Sequence, residues 1–244
     1  MEQIQQGLKK LQEWIDGSNN IVFFGGAGVS TESGIPDFRS VDGLYHQHYD
    51  YPPETILSHS FFVKHPDIFY QFHREKLVVH GVKPNAAHLK LAELERAGKL
   101  KAVITQNIDG LHQMAGSKEV LELHGTIHRA YCASCRKSYP EEFINEGEGV
   151  PRCECGGVVR PDVVLYEEGL NELILQDSLG YIGNADVLIV GGTSLVVYPA
   201  AGLLQYYYGK KLVLINKDAT PYDAKADLVI HAPIGQVLGA IQVR

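Results

Sequence analysis

Cysteine is scarce in this chain: there are four in 244 residues, all between Cys132 and Cys155. So few, confined to one short stretch, cannot build a disulfide scaffold, and a reducing, cytoplasmic compartment is expected. Positive charge is also in deficit. Lys and Arg number 22 against 29 Asp and Glu, a net charge of -7, which argues against holding nucleic acid by bulk phosphate neutralisation. Long apolar runs are missing as well. Stretches such as Val187 to Val190 fall far short of the roughly 20 residues of a membrane span, so no membrane association is expected. There are no internal repeats, low-complexity tracts or long tails, which leaves no sign of an appended recruiting domain; a monomer is expected. The amino terminus lacks the basic start, apolar block and small-residue cleavage site of a secretion signal. Met1 to Asp16 instead places Ile4, Leu8, Leu11, Trp14 and Ile15 at helical spacing, an amphipathic helix.

What is present is an ordinary globular composition, 45% hydrophobic and 21% charged, enough to bury a core without covalent staples. The length predicts one large domain, alone or carrying a small insert. Asn20 to Phe24 is a short apolar run entering Gly25-Gly26-Ala27-Gly28, the pattern of a buried strand followed by a tight turn. From Ile35 to about Lys83, Pro36, Pro52, Pro53 and Pro66 break the chain into a loop and a small helical insert. A helix starts at Pro84-Asn85 and stops at Gly98, and strands follow at Ala102 to Thr105 and Val120 to Leu123. Beyond the cysteines come strands at Ala185 to Val190, Lys211 to Ile215 and Asp227 to Ile230. A helix with Pro in its first turn is expected over Pro199 to Tyr208, and a last helix over Ile234 to Ile241. The alternation predicts an α/β fold, a doubly wound, mostly parallel sheet.

Cys132-Ala-Ser-Cys135 and Cys153-Glu-Cys155 are two close pairs that can complete the tetrahedral sulfur shell preferred by Zn2+. The single residue inside the second pair gives a tighter bite than the usual spacing. A closed four-sulfur shell has no open position, so one structural ion is expected, with no part in chemistry. The competing readings are unligated thiols, a redox pair at Cys132 and Cys135, and a nucleic-acid-binding zinc ribbon. Glu141, Glu142, Glu146, Glu148 and Glu154 count against the last.

Gly26-Ala27-Gly28-Val29-Ser30-Thr31 lacks the third glycine of a dehydrogenase fingerprint, and no acidic residue ends a clear second strand about 20 residues on. Hydride-transferring dehydrogenases are therefore disfavoured. The glycines still let backbone amides approach a pyrophosphate, Ser30 adds a hydroxyl donor, and Asp37, Phe38 and Arg39 follow as a charged and aromatic trio that a bland turn does not explain.

The run Gly26 to Arg39, Thr105-Gln-Asn-Ile-Asp-Gly-Leu-His112, Leu123-His-Gly125, Gly192-Thr-Ser-Leu195 and the paired cysteines together resemble the sirtuins, NAD-dependent protein lysine deacylases, in the family's order over nearly the whole chain. The resemblance implies a Rossmann-like NAD-binding domain from 1–34, 84–124 and 161–244, a cofactor loop and helical insert at 35–83, and a zinc-binding insert at 125–160. It implies that Gly26, Ala27, Gly28 and Ser30 line the phosphate site and that Asp37, Phe38 and Arg39 lie over the nicotinamide ribose. Gln106 and Asn107 would face the ribose, and Ile108 and Asp109 would bind the nicotinamide carboxamide. Gly192, Thr193, Ser194 and Asn216 would hold adenosine, with Lys217 nearby.

Asn107 and His124 match catalytic positions, His124 as general base for ribose hydroxyls after the acyl oxygen has displaced nicotinamide; lysine and O-acetyl-ADP-ribose are the products. Val163, Val164, Leu165 and Tyr166 resemble the segment that pairs with the acyl-lysine protein substrate as an added strand. Glu167 stands where the family usually has glycine and is expected to crowd or charge the groove edge. Tyr70 and His73 occupy the places of a Tyr and an Arg that favour succinyl or malonyl groups; without that guanidinium, acetyl is the expected acyl group. The alternatives are a desuccinylase or demalonylase, a mono-ADP-ribosyltransferase, and a non-catalytic NAD sensor, the last disfavoured by retention of Asn107 and His124.

Overall fold

The computed structural model describes residues 2–37 and 50–244. Phe38 and Arg39 lie outside the described residues. In chain order the strands are β1 (Ile21–Gly25), β2 (Leu100–Thr105), β3 (Val120–Glu122), β4 (Gly125–Cys132), β5 (Ser138–Tyr139), β6 (Val159–Val163), β7 (Val187–Gly191), β8 (Leu212–Asn216) and β9 (Leu228–His231). The α-helices are α1 (Glu2–Asp16), α2 (Pro53–Ile56), α3 (His59–Lys64), α4 (Pro66–Phe72), α5 (Ala86–Arg96), α6 (Leu111–Met114), α7 (Glu142–Asn145), α8 (Glu172–Asn184) and α9 (Ile234–Gly239).

Six strands form a parallel sheet in the order β3-β2-β1-β7-β8-β9. The central strands β1 and β7 are buried at every residue, because helices cover both faces of a parallel sheet, and so they read as unbroken apolar runs. One aliphatic layer joins Leu11 and Ile15 of α1, Leu91 and Leu94 of α5, and Val237 and Leu238 of α9 to the sheet. The opposite layer holds Ile182 of α8 with Ala200, Leu203 and Leu204. Helix α5 begins where expected: the Asn85 side chain accepts from Ala87 N–H, and His88 Nδ1 accepts from Asn85 N–H.

Two elements differ from the sequence reading. The stretch after Pro199 is a 3-10 helix, Ala200–Tyr206, where an α-helix is expected. Gly202 N–H donates three residues back to Pro199, and the Tyr222 hydroxyl takes the Ala201 carbonyl that an α-helical turn would use. Helix α8 was not anticipated. Its residues buried against the sheet are few, Ser178 and Ile182, so its periodicity is faint, and the readable signal was its cap, Asn171, which accepts from Leu173 and Ile174 N–H.

A second, antiparallel sheet, β5-β4-β6, carries the cysteines. Strand β6 runs across residues 160 and 161. The helical insert and the cysteine-bearing segment share one core, in which Phe61, Phe62, Phe69, Tyr70 and Phe72 pack with Ala130, Cys132, Ile144, Cys153, Val159 and Leu165. These elements form one small lobe beside the large sheet.

Candidate active site

The chain steps outward from β1 to β2 and β3 on one side and from β7 to β8 and β9 on the other, so a switch point falls between the carboxyl ends of β1 and β7, where Gly25 pairs with Gly191. The loops leaving these two strands touch backbone to backbone. Gly28 N–H donates to Gly192 O at 2.8 Å, and a Cβ on Gly28 would lie 2.8 Å from Gly192 Cα. Gly192 has φ +60, and a Cβ there would lie 2.3 Å from Val29 N. Glycine is required at both places by this crossing.

A polar chain ties the neighbouring loops to it. Gln106 Nε2 donates to Thr193 Oγ1 at 3.1 Å, and Thr193 N–H donates to Asn216 Oδ1 at 3.0 Å. Among the described residues, Asn216 Nδ2 is buried with no acceptor. A buried donor left open at the carboxyl end of β8, with exposed Ser194 beside the crossing, fits the hydroxyl-rich adenosine end of a dinucleotide.

The loop after β2 brings Asn107 and Asp109 to the glycine turn. Asn107 Nδ2 donates to Ser30 Oγ at 3.1 Å, and Ser30 Oγ donates to Asp109 Oδ2 at 2.6 Å. The other Asp109 oxygen accepts the N–H of Leu111, the first residue of α6, which fixes the carboxylate's direction. The Ile108 carbonyl accepts Ile127 N–H, so this loop is also tied to β4.

His124 sits between β3 and β4, half-buried. Its Nδ1 lies 3.0 Å from Gln106 O. A carbonyl only accepts, so Nδ1 carries the proton and Nε2 keeps its lone pair. Burial pushes the His124 pKa down and the bond to Gln106 draws it part of the way back, leaving it below the ordinary value. The ring is therefore neutral at pH 7, with a base at Nε2. Ala27 is partly exposed in the turn, and Asp37 is the last described residue before Phe38.

The four cysteine sulfurs lie within 4.8 Å of one another. Cys132 and Cys155 are 3.5 Å apart and Cys135 and Cys153 3.6 Å apart. Zn–S bonds of about 2.3 Å give tetrahedral edges of about 3.8 Å, so the set fits one zinc ion despite the short second pair. The Tyr139 hydroxyl donates to Cys153 at 3.1 Å and pulls its thiol down to about 6.

Val163 to Tyr166 is anchored from both sides. Val164 N–H donates to His124 O, while Tyr166 accepts from His59 N–H and donates to Leu57 O. Glu167 has φ +75, and its carboxylate takes Ser60 N–H at 2.9 Å and Ser60 Oγ at 3.0 Å. Its charge is thus turned onto the first turn of α3, and the expected crowding of the groove is relieved. Tyr70 lies in α4 and His73 directly follows it. Both are fully buried, Tyr70 donating to Val159 O and His73 facing Asn145, because that side of α4 supplies the small lobe's core.

Sequence reading missed the pair Arg160 and Glu168. Arg160 is 6% exposed and grips Glu168 at 2.6 and 2.9 Å. Glu168 also accepts from Leu165 N–H and faces His59, and these partners overcome its burial and hold it at about 2. No periodic pattern marks two charges that meet only because the chain turns between them.

An open α/β sheet with a ligand crevice at its switch point, a base at Nε2 of His124 and a separate four-sulfur centre define a Rossmann-like nucleotide-binding protein with a metal-stapled second lobe. The sequence model of the Sir2 family matches residues 26–199, and this chain belongs to that family. An NAD-dependent protein deacetylase of Clostridium perfringens (strain 13 / Type A) is 59% identical over 238 residues, covering 96% of this chain and 98% of the relative. A protein of the same name from Cutibacterium acnes is 56% identical over 236 residues, 96% of this chain and 97% of the relative. Among solved structures, a Sir2 enzyme superposes with TM-score 0.88 at 42% identity over 96% of both chains. A Sir2 complex with p53 peptide and NAD+ superposes with TM-score 0.85 at 41% identity over 95% of both.

Proposed function

We propose that this chain is an NAD-dependent protein lysine deacetylase that moves the acetyl group of acetyl-lysine onto ADP-ribose and releases nicotinamide. The observation that carries the reading is the neutral His124, its Nδ1–H held by Gln106 O, beside the linked Asn107, Ser30 and Asp109. NAD, when bound, supplies a ribose carbon that loses nicotinamide and takes the acyl oxygen. Gly26, Ala27, Gly28 and Ser30 would hold its phosphates, with Asp37, Phe38 and Arg39 over the ribose. Gln106 and Asn107 would face the ribose, Ile108 and Asp109 would hold the nicotinamide carboxamide, and Gly192, Thr193, Ser194 and Asn216 the adenosine.

His124 Nε2 accepts a proton from a substrate hydroxyl, and Gln106 O fixes the tautomer that makes this possible. The Asp109 carboxylate, oriented through Ser30 and Leu111 N–H, would supply an acceptor to the nicotinamide amide beside backbone groups, and the Asn107 carboxamide, tied to the same Ser30, would face the ribose. Val163, Val164, Leu165 and Tyr166 would offer backbone to an extended acyl-lysine peptide. Cys132, Cys135, Cys153 and Cys155 would hold one zinc that keeps the small lobe folded. Acetyl is favoured over succinyl because the Arg74 guanidinium, the nearest substitute for the missing one, is bound to Ile144 O and Gly149 O.

The reading includes the division into an NAD-binding domain (1–34, 84–124, 161–244), a cofactor loop and helical insert (35–83) and a zinc-binding insert (125–160). It also includes a monomer in the cytoplasm that acts on proteins and does not bind nucleic acid. Among the described residues no helix is long and apolar enough to cross a membrane.

Mass spectrometry of an acetyl-lysine peptide with and without NAD, beside a succinyl-lysine peptide and His124→Ala protein, tests it. The expected result is NAD-dependent deacetylation with O-acetyl-ADP-ribose as product and a loss of about 10²-fold or more in the variant. ADP-ribose left on a protein, or no turnover despite bound NAD, overturns it. The base works only unprotonated, and the lowered pKa moves its protonation below pH 6.5. The acid limb of kcat/KM is therefore expected below pH 6.5, and a limb above that value would contradict the assignment.

A further inference from the structure

His128 lies on β4, four residues beyond His124, and neither of its ring nitrogens faces a donor. Nδ1 is 2.8 Å from a carboxylate oxygen of Glu141, and Nε2 is 3.0 Å from the backbone carbonyl of Asp109. Both partners are acceptors only. A neutral imidazole has one N–H and would turn a lone pair on one of these oxygens, whereas the imidazolium donates to both. The fit is close: Gly110 has φ +70, and a Cβ there would lie 2.7 Å from His128 Cδ2. The backbone carbonyl it grips belongs to the residue whose side chain the site uses toward Ser30 and Leu111.

We propose that protonated His128 is a positioning residue that clamps the Asp109–Gly110 loop to the small lobe through Glu141, so that nicotinamide affinity depends on its proton. This rests on the assignment of Asp109 to the nicotinamide end. The groups around the ring favour the charged form. Glu141 precedes α7, Glu122 faces from β3, and Arg129 on β4 is engaged by Glu122 at 3.3 Å and by Asp162 of β6 at 3.1 Å. The Asp109 carboxylate is turned to Ser30 and Leu111, and Arg136 and Tyr139 line the same hollow of about 290 Å³ as His128. Burial alone lowers the His128 pKa, but the bonds to Asp109 and Glu141, with Glu122 in support, raise it above the ordinary value. A raised folded-state pKa means that the clamp is complete below about pH 6.5 and opens as pH rises through the raised value.

The test is imidazole ¹⁵N NMR of the full chain from pH 6 to 9, with nicotinamide inhibition measured over the same range. At pH 6 both His128 nitrogens are expected in the protonated range, with deprotonation above pH 6.5. The nicotinamide inhibition constant is expected to rise about fivefold as the ring deprotonates. Glu141→Gln should shift both transitions to lower pH, and His128→Ala should abolish the dependence while leaving the zinc content unchanged. A His128 that is neutral already below pH 6.5, or an inhibition profile that Glu141→Gln leaves in place, overturns the proposal. If the chain binds no nicotinamide, the Asp109 and Gly110 amide resonances decide. Their titration in step with His128 upholds the clamp while the assigned function falls, and flat resonances overturn the clamp itself.

Discussion

The two lobes hold their order by different physics. In the large lobe the sheet is buried on both faces by aliphatic side chains, and even its buried lysine serves packing: Lys99, 6% exposed, donates to the carbonyls of Ile15, Asp16 and Ser18 and closes the end of α1. The small lobe packs a narrower cluster of aromatic rings with a buried arginine and two of the four thiols, Cys132 and Cys153. Area removed from water stabilises the first. The second is expected to need a metal staple as well, so the proposed site residues lie where the two lobes meet.

The sharpest way to break this contrast is to remove the metal. Cys132→Ala, or a strong chelator, is expected to abolish deacetylation, because a structural zinc contributes on the order of 10 kcal/mol to the fold around it. Hydrogen exchange should lose protection in β4 to β6 while β1 and β7 stay protected. Retained activity with less than about one zinc per ten chains would put the two lobes on the same footing. The converse change is Leu91→Ala, at a fully buried position in α5. It is expected to cost about 2–5 kcal/mol in denaturant unfolding without releasing zinc, and zinc release in step with it would join the lobes into one cooperative unit.

The smallest expected effect is at Glu167→Gly. Glycine relieves about 1 kcal/mol of left-handed strain but gives up two exposed hydrogen bonds to Ser60 of similar worth. The urea midpoint should move by less than about 1 kcal/mol equivalent, and a larger loss would make Glu167 a structural strut of the small lobe.

Legibility in the sequence followed the same division. Strands β1, β7 and β8 could be read because burial on both faces leaves unbroken apolar runs, and α5 because Asn85 and Gly98 mark its ends. The motif residues Ser30, Asn107, Asp109 and His124 were legible as types, but the hydrogen-bonded order that links them was not. That order depends on two loops after different strands. The antiparallel sheet escaped notice because β5 has two residues and β4 shifts register between Thr126 and Ala130. The burial of Tyr70 and His73 was hidden for a related reason. A helix as short as α4 shows too few residues to say which side faces the core.

The place of β1 in the sheet bears on how the chain is made. Val22 pairs with Ala102 on one side and with Leu188 on the other. A ribosome therefore releases Ile-Val-Phe-Phe early and supplies its second neighbour only after most of the polypeptide has been synthesised. At about 5–20 residues per second the interval is many seconds, during which a strand that ends buried at every residue has an open edge. Closing that edge needs contacts of high sequence separation, which form slowly. A segment that ends buried on both faces is, during synthesis, one that a holdase would shield.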